Sequence, residues 1–144
     1  MLQQIFFALA LTSITVVLHA AGSVFVVIPA AGVWKQVVES SAIPQPVWTL
    51  IRLVGLLLIL HLVEMSVWAA AYFVGGVLPD FETALYYSMT SYTTVGFGDV
   101  IPPASWRLLG PIEAAVGVMM LGWSTSIVVA AVQRIHNARL PNTQ

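Results

Sequence analysis

No Asp, Glu, Lys or Arg precedes Lys35, and none falls between Glu113 and Arg134. A helix needs about 20 apolar residues to cross the roughly 30 Å hydrocarbon core of a bilayer. Both charge-free stretches reach that length, the second with 20 residues. A third apolar stretch runs from Val47 to Phe73, with Arg52 near its start and Glu64 inside it. Three membrane spans are predicted, at about 5–33, 47–74 and 105–133.

Composition agrees. Charged residues make up 8% of the 144 and hydrophobic ones 59%, where a soluble domain carries about 25% charged residues. The formal net charge of −1 argues against a nucleic-acid partner. Cysteine is absent, which removes disulfides, thiolate catalysis and Cys-based metal sites. The histidines His19, His61 and His136 are scattered, with no HExxH-type spacing. No nucleophile–base pair is visible, so neither an enzyme nor a cofactor is expected. No internal repeat, low-complexity tract or soluble domain is evident.

The first span competes with a cleaved signal peptide. The start Met-Leu-Gln-Gln-Ile lacks a positive region and the apolar run is long, which favours a retained helix. Trp34 to Pro46 reads as a loop, with Pro44 and Pro46 a natural stop before the second helix. After Gly75, Gly76 and Pro79, Asp80 is the expected N-cap of a helix over 81–91, with Glu82 in its first turn. Such a helix is about 16 Å long, half a membrane. It is therefore re-entrant or lies outside.

Lys35, Arg52, Arg134 and Arg139 fall on one side of the predicted topology; Arg107 falls on the other, with Asp80, Glu82 and Asp99. The positive-inside rule then places the N-terminus outside and the C-terminus in the cytoplasm.

The half-helix leads into Thr93-Thr94-Val95-Gly96-Phe97-Gly98-Asp99, then Pro102-Pro103 and the third span. This segment resembles the selectivity filter of tetrameric potassium channels, and the order outer helix, short helix, filter, inner helix is also theirs. The resemblance covers about Val47 to Arg134. It implies an all-α membrane protein with the tetrameric potassium-channel pore fold: three transmembrane helices, a re-entrant pore helix and a filter loop. The expected organisation is an extra N-terminal helix (1–34), a cytoplasmic loop (35–46), a pore domain (47–136) and a short cytoplasmic tail (137–144). Within the pore domain lie the outer helix (47–74), pore helix (81–91), filter (94–98) and inner helix (105–134). The implied partners are three further copies of the chain, the lipid bilayer and permeating K+, in a plasma membrane of the prokaryotic inner-membrane kind.

A dehydrated potassium ion must be surrounded by oxygens that replace its water shell, and rings of backbone carbonyls can supply them. A strand points alternate carbonyls outward, so the loop must alternate its hand at successive residues. Gly96 and Gly98 reach positive φ without steric cost. Thr94 adds a ring of hydroxyls, while Val95 and Phe97 face away and pack behind the loop. By resemblance, K+ is coordinated by the carbonyls of Thr94, Val95, Gly96 and Phe97, within a filter that closes with Gly98.

The expected filter supports are Asp99, Tyr86, Tyr87, Thr90 and Thr93. Relatives carry aromatic residues at the tyrosine pair, and Tyr87 is expected to bond Asp99; interfacial packing is the alternative. Phe97 lacks the hydroxyl of the commoner tyrosine. Thr90 stands where some relatives carry a glutamate. Aligned on the filter, Met119, Gly122, Ser126, Ile127 and Ala130 face the inner cavity. Gly122, Ser126 and Ala130 are also a small-residue series suited to close helix packing, and Gly117 and Gly122 are candidate bends. Glu64 and Glu113 are costly inside apolar spans. Arg107 and Glu113 do not share a helix face, so Glu64 is another candidate partner for Arg107. His61, three residues before Glu64, is expected to pair with it. The first span lacks repeated arginines, so it is no voltage sensor of the usual kind. The rival functions are a weakly selective cation channel and a non-conducting accessory subunit.

Overall fold

A computed structural model describes residues 2–39 and 44–139. It is all-helical: α1 (Leu2–Glu39), α2 (Pro44–Val74), α3 (Phe81–Tyr92), a 3-10 turn (Ala104–Trp106) and α4 (Leu109–Arg139). Stretches of three helices, Gln4–Val26, Pro46–Val74 and Ala104–Asn137, are long and apolar enough to cross a membrane. Apolar side chains such as Phe25, Val74 and Leu58 are exposed on their outer faces, as lipid-facing helices require.

Several boundaries differ from the sequence expectation: α2 begins at Pro44 rather than 47, and α4 runs to Arg139 rather than 134. The loop expected from residue 34 is helical to Glu39, and the helix runs through Pro29. Spanning helices tolerate proline because nearby groups satisfy the backbone carbonyl it frees. The last helix starts at Leu109 rather than 105, after the 3-10 turn. Pro111 sits in its first turn, where a missing N–H costs no helical bond. Pro44 and Pro46 occupy the first turn of α2 in the same way.

The C-terminus of α2 closes by a Schellman motif. Val77 N–H donates to the Tyr72 carbonyl over 2.9 Å and Gly76 N–H to that of Phe73 over 3.0 Å. Gly76 takes φ +65°, the left-handed step this motif needs. The chain thus turns back at once, and Asp80 caps α3. Its carboxylate accepts from the Thr83 N–H and the Thr83 hydroxyl, each at 2.8 Å. First the Thr83 N–H and then its hydroxyl hold the Asp80 carboxyl below its ordinary 3.8.

α3 packs against α2 and α4, and α1 lies across both α2 and α4. The main core gathers Ala8 and Leu11 of α1, Trp68, Ala69 and Tyr72 of α2, Ala84 and Tyr87 of α3 and Leu109 of α4. Trp68 donates its indole N–H to the Thr15 hydroxyl over 2.9 Å, and that hydroxyl donates to the Leu11 carbonyl. Every buried polar atom in this link has a partner, as an apolar environment demands.

Candidate functional site

α3 has 12 residues and is roughly 18 Å long, too short to span a bilayer. Its C-terminus delivers the chain into residues 94–98. Thr94 N–H donates to the Ser91 carbonyl over 2.9 Å, and Gly96 N–H to that of Thr90 over 3.0 Å. These bonds fold the segment back beside the end of α3.

Positive φ recurs at every second residue: Thr94 at 64°, Gly96 at 53° and Gly98 at 79°. The two glycines follow the sequence expectation. Thr94 does not follow from residue type, since φ > 0 is uncommon in a residue other than glycine; the alternation demands it. A Cβ on Gly96 or Gly98 would meet nothing within 4 Å, so glycine answers to backbone conformation there, not to crowding.

Val95 and Phe97 are 53% and 72% exposed. Within one chain they do not pack behind the loop as expected. A cavity of about 300 Å³ lies behind the segment, bordered by Tyr87, Thr90, Thr94, Gly96, Gly98 and Gly110 among others. The side chains of Thr90 and Thr93 turn back onto α3: they donate to the carbonyls of Tyr87 over 3.0 Å and Met89 over 2.6 Å.

The tyrosine expectation is corrected. Tyr86, not Tyr87, donates its hydroxyl to Asp99 Oδ2, at 2.8 Å. Successive residues on a helix differ by about 100°, so only one of the pair can face the returning strand. Tyr87 is directed instead at α2 and α4. Its ring meets Tyr72 edge-on at 5.2 Å, and its hydroxyl lies where a Cβ on Gly110 would come within 2.2 Å.

Neither intramembrane glutamate pairs with Arg107. Glu113 is fully buried and accepts from the Tyr72 hydroxyl and the Ser88 hydroxyl, both at 2.5 Å. It thereby joins α2, α3 and α4. Glu64, also fully buried, accepts from the Tyr92 hydroxyl and lies 2.8 Å from His19 Nδ1. The expected His61 contact is present at 3.4 Å. Hydroxyl and imidazole groups on adjacent helices reach these carboxylates; Arg107 belongs to the turn before α4. The convergence of His19 with Glu64, 45 positions apart, carried no signal in spacing along the chain.

On α4, Met119, Gly122, Ser126 and Ala130 are exposed within the chain. Ile127 differs: it is half-buried against Val26, Leu53, Leu57 and Ala131, one helical step off that face. Gly117 lies within continuous helix. It is a point of close approach, where a Cβ would stand 2.1 Å from the Tyr92 carbonyl oxygen.

Three helices long and apolar enough to cross a membrane, with a half-length helix and an alternating-hand segment between the last two, are consistent with an ion channel. The family model described as "Ion channel" matches residues 47–134, more than half of the chain, and the chain belongs to this ion channel family. No curated protein and no solved structure matches it.

Proposed function

We propose that the chain is one subunit of a potassium-selective channel, in which four copies bring residues 94–98 around a common axis. The observation that carries this reading is the alternation of backbone hand at Thr94, Gly96 and Gly98. Alternating left- and right-handed residues turn successive carbonyls to the same side, so that four chains stack them into rings. Thr94, Val95, Gly96 and Phe97 then present the coordinating carbonyls, and α3 is the re-entrant pore helix. Its negative C-terminal end favours a cation near the inner mouth. Irregular backbone at membrane depth must be buried in protein or line a water-filled path, and one chain alone does neither for Val95 and Phe97. Neighbouring subunits cover them in the tetramer. Met119, Gly122, Ser126 and Ala130, exposed within the chain, line the inner cavity there.

The charge pattern supports cytoplasmic 134–139 and an external Asp80–Glu82 turn. Single cysteines at Glu82 and Asn137 test this: in intact cells an impermeant reagent labels position 82 and spares 137.

The decisive experiment is Gly96→Ala, with potassium and sodium flux compared in the same liposomes. A Cβ at left-handed φ costs about 1–2 kcal/mol per residue, repeated around the ring. Loss of potassium preference with the tetramer retained is expected. A variant that keeps wild-type preference refutes a carbonyl filter at Gly96. Reversal potentials in mixed ions separate the potassium-selective reading from a weakly selective cation channel, and absence of any flux from the purified wild type indicates an accessory subunit.

A further inference from the structure

A second polar cluster lies apart from residues 94–98. His19 of α1, His61 and Glu64 of α2 and Tyr92 of α3 converge in the interior, none more than 3% exposed. One ligand atom each from His19, His61 and Glu64 lies within 4.8 Å of the other two. The shorter separations are 2.8 Å from His19 Nδ1 to Glu64 Oε1 and 3.4 Å from His61 Nδ1 to Glu64 Oε2. Ligand atoms bound tetrahedrally at about 2.0–2.1 Å stand about 3.3 Å apart, so these spacings bracket those of a filled site.

Two observations indicate that hydrogen bonding does not complete the cluster. His61 Nδ1 lies 2.9 Å from the Tyr92 hydroxyl, but its other ring nitrogen, Nε2, is buried without a partner, and a buried unpaired polar atom in a native protein calls for a missing water or ion. The Glu64 carboxylate faces two imidazoles and a phenol, with no Lys or Arg among its partners. A buried carboxylate with no permanently charged partner is costly in an apolar setting, and a bound cation would compensate it.

We propose that His19, His61 and Glu64 form a binding site for a divalent transition metal of the zinc class, with the Tyr92 hydroxyl as an adjacent oxygen donor. Two imidazoles and one carboxylate are a donor set such ions take, whereas potassium, calcium and magnesium prefer oxygen alone. The remaining nitrogen of His19, Nε2, lies 3.5 Å from the Ser124 hydroxyl, an orienting contact of the kind metal-bound imidazoles keep. His61 also borders a cavity of about 220 Å³ lined by Ser124 and Thr125 among apolar residues, which leaves room for water beside the ring. An ion here would rivet α1 to α2 against Tyr92, two residues before Thr94.

The test uses the full chain, purified in mild detergent and stripped with a chelator, with Co2+ as a spectroscopic probe. Expected are one Co2+ per chain with the strong visible absorption of tetrahedral coordination, displacement by Zn2+, and a higher thermal midpoint with either ion. His19→Gln and His61→Gln each weaken Co2+ binding at least tenfold at unchanged elution volume. His136→Gln, on the exposed end of α4, leaves binding intact. A wild type without the tetrahedral band overturns the proposal, as do His19→Gln and His61→Gln variants that bind like wild type. Should those variants not fold, His19→Cys decides: a thiolate-to-cobalt charge-transfer band supports the site, and its absence overturns it. None of these readouts depends on ion conduction.

Discussion

Gly117 of α4 stands so close to Tyr92 that a Cβ at 117 would lie 2.1 Å from the Tyr92 carbonyl oxygen. The obstacle is backbone, which cannot rotate away as a side chain can. Gly117→Ala must therefore push α4 from the end of α3. Overpacking of this kind costs about 1–3 kcal/mol, and a lower thermal midpoint in detergent is expected. Gly55→Ala is the control: a Cβ there meets nothing within 4 Å, and no loss is expected.

Tyr86 and Tyr87 should separate cleanly in function. Tyr86→Phe removes the bond to Asp99 that ties the proposed filter's outer end to α3. A weaker potassium-over-sodium preference or a less stable conducting state is expected in liposome flux. Tyr87→Phe leaves that bond in place and should keep wild-type selectivity. The opposite ranking would return the bracing role to Tyr87.

Glu113 holds two hydroxyls from two other helices. Tyr72→Phe removes one donor and leaves Ser88 in place; Glu113→Ala strands the Tyr72 hydroxyl, while Ser88 keeps the Met65 carbonyl at 2.8 Å. A stranded buried group costs about 1–3 kcal/mol, so Glu113→Ala should destabilise more than Tyr72→Phe. The double variant should cost less than the sum of the two, because both remove the same contact. Thermal midpoints of the four proteins measure this. Strict additivity would mean that the bond contributes nothing.

Asp80 gives α3 a pH dependence. Its carboxyl titrates below its ordinary 3.8 in the folded chain. Its contribution is therefore complete above that ordinary value and is lost as pH falls through the lower folded value. The wild-type thermal midpoint should drop in that acidic window. Asp80→Asn keeps a capping oxygen without the charge, and its midpoint should fall less over the same window. Parallel curves for the two proteins would show that the cap does not titrate.

Long-range chemistry separates what the sequence made legible from what it did not. Apolar stretches, two of them free of charge, located all three candidate spans because hydrocarbon selects for apolar side chains whatever the tertiary structure. The Asp80 cap and the positive φ of Gly96 and Gly98 were legible because each depends on a few neighbouring residues. The helix through Pro29 to Glu39 was not, because a local breaker signal yields when the surroundings satisfy the backbone. The partners of Glu64 and Glu113 were illegible for a different reason. They come from separate helices, and their positions depend on how those helices rotate against each other. Tyr86 and Tyr87 fall between these cases: the pair was visible, but choosing between them required the azimuth of α3.

The bond from Trp68 to Thr15 and the contact of Glu64 with His19 bear on how far this protein can be dissected. The stretch matching the ion channel family begins at residue 47, which invites excision of a minimal pore. Cutting there would remove the Thr15 acceptor of the Trp68 indole N–H and the His19 contact of the Glu64 carboxylate, both within the apolar stretch Pro46–Val74. The first helix is thus an internal solvent for the outer helix, and engineered chimaeras of this pore would need to carry it or replace both polar groups.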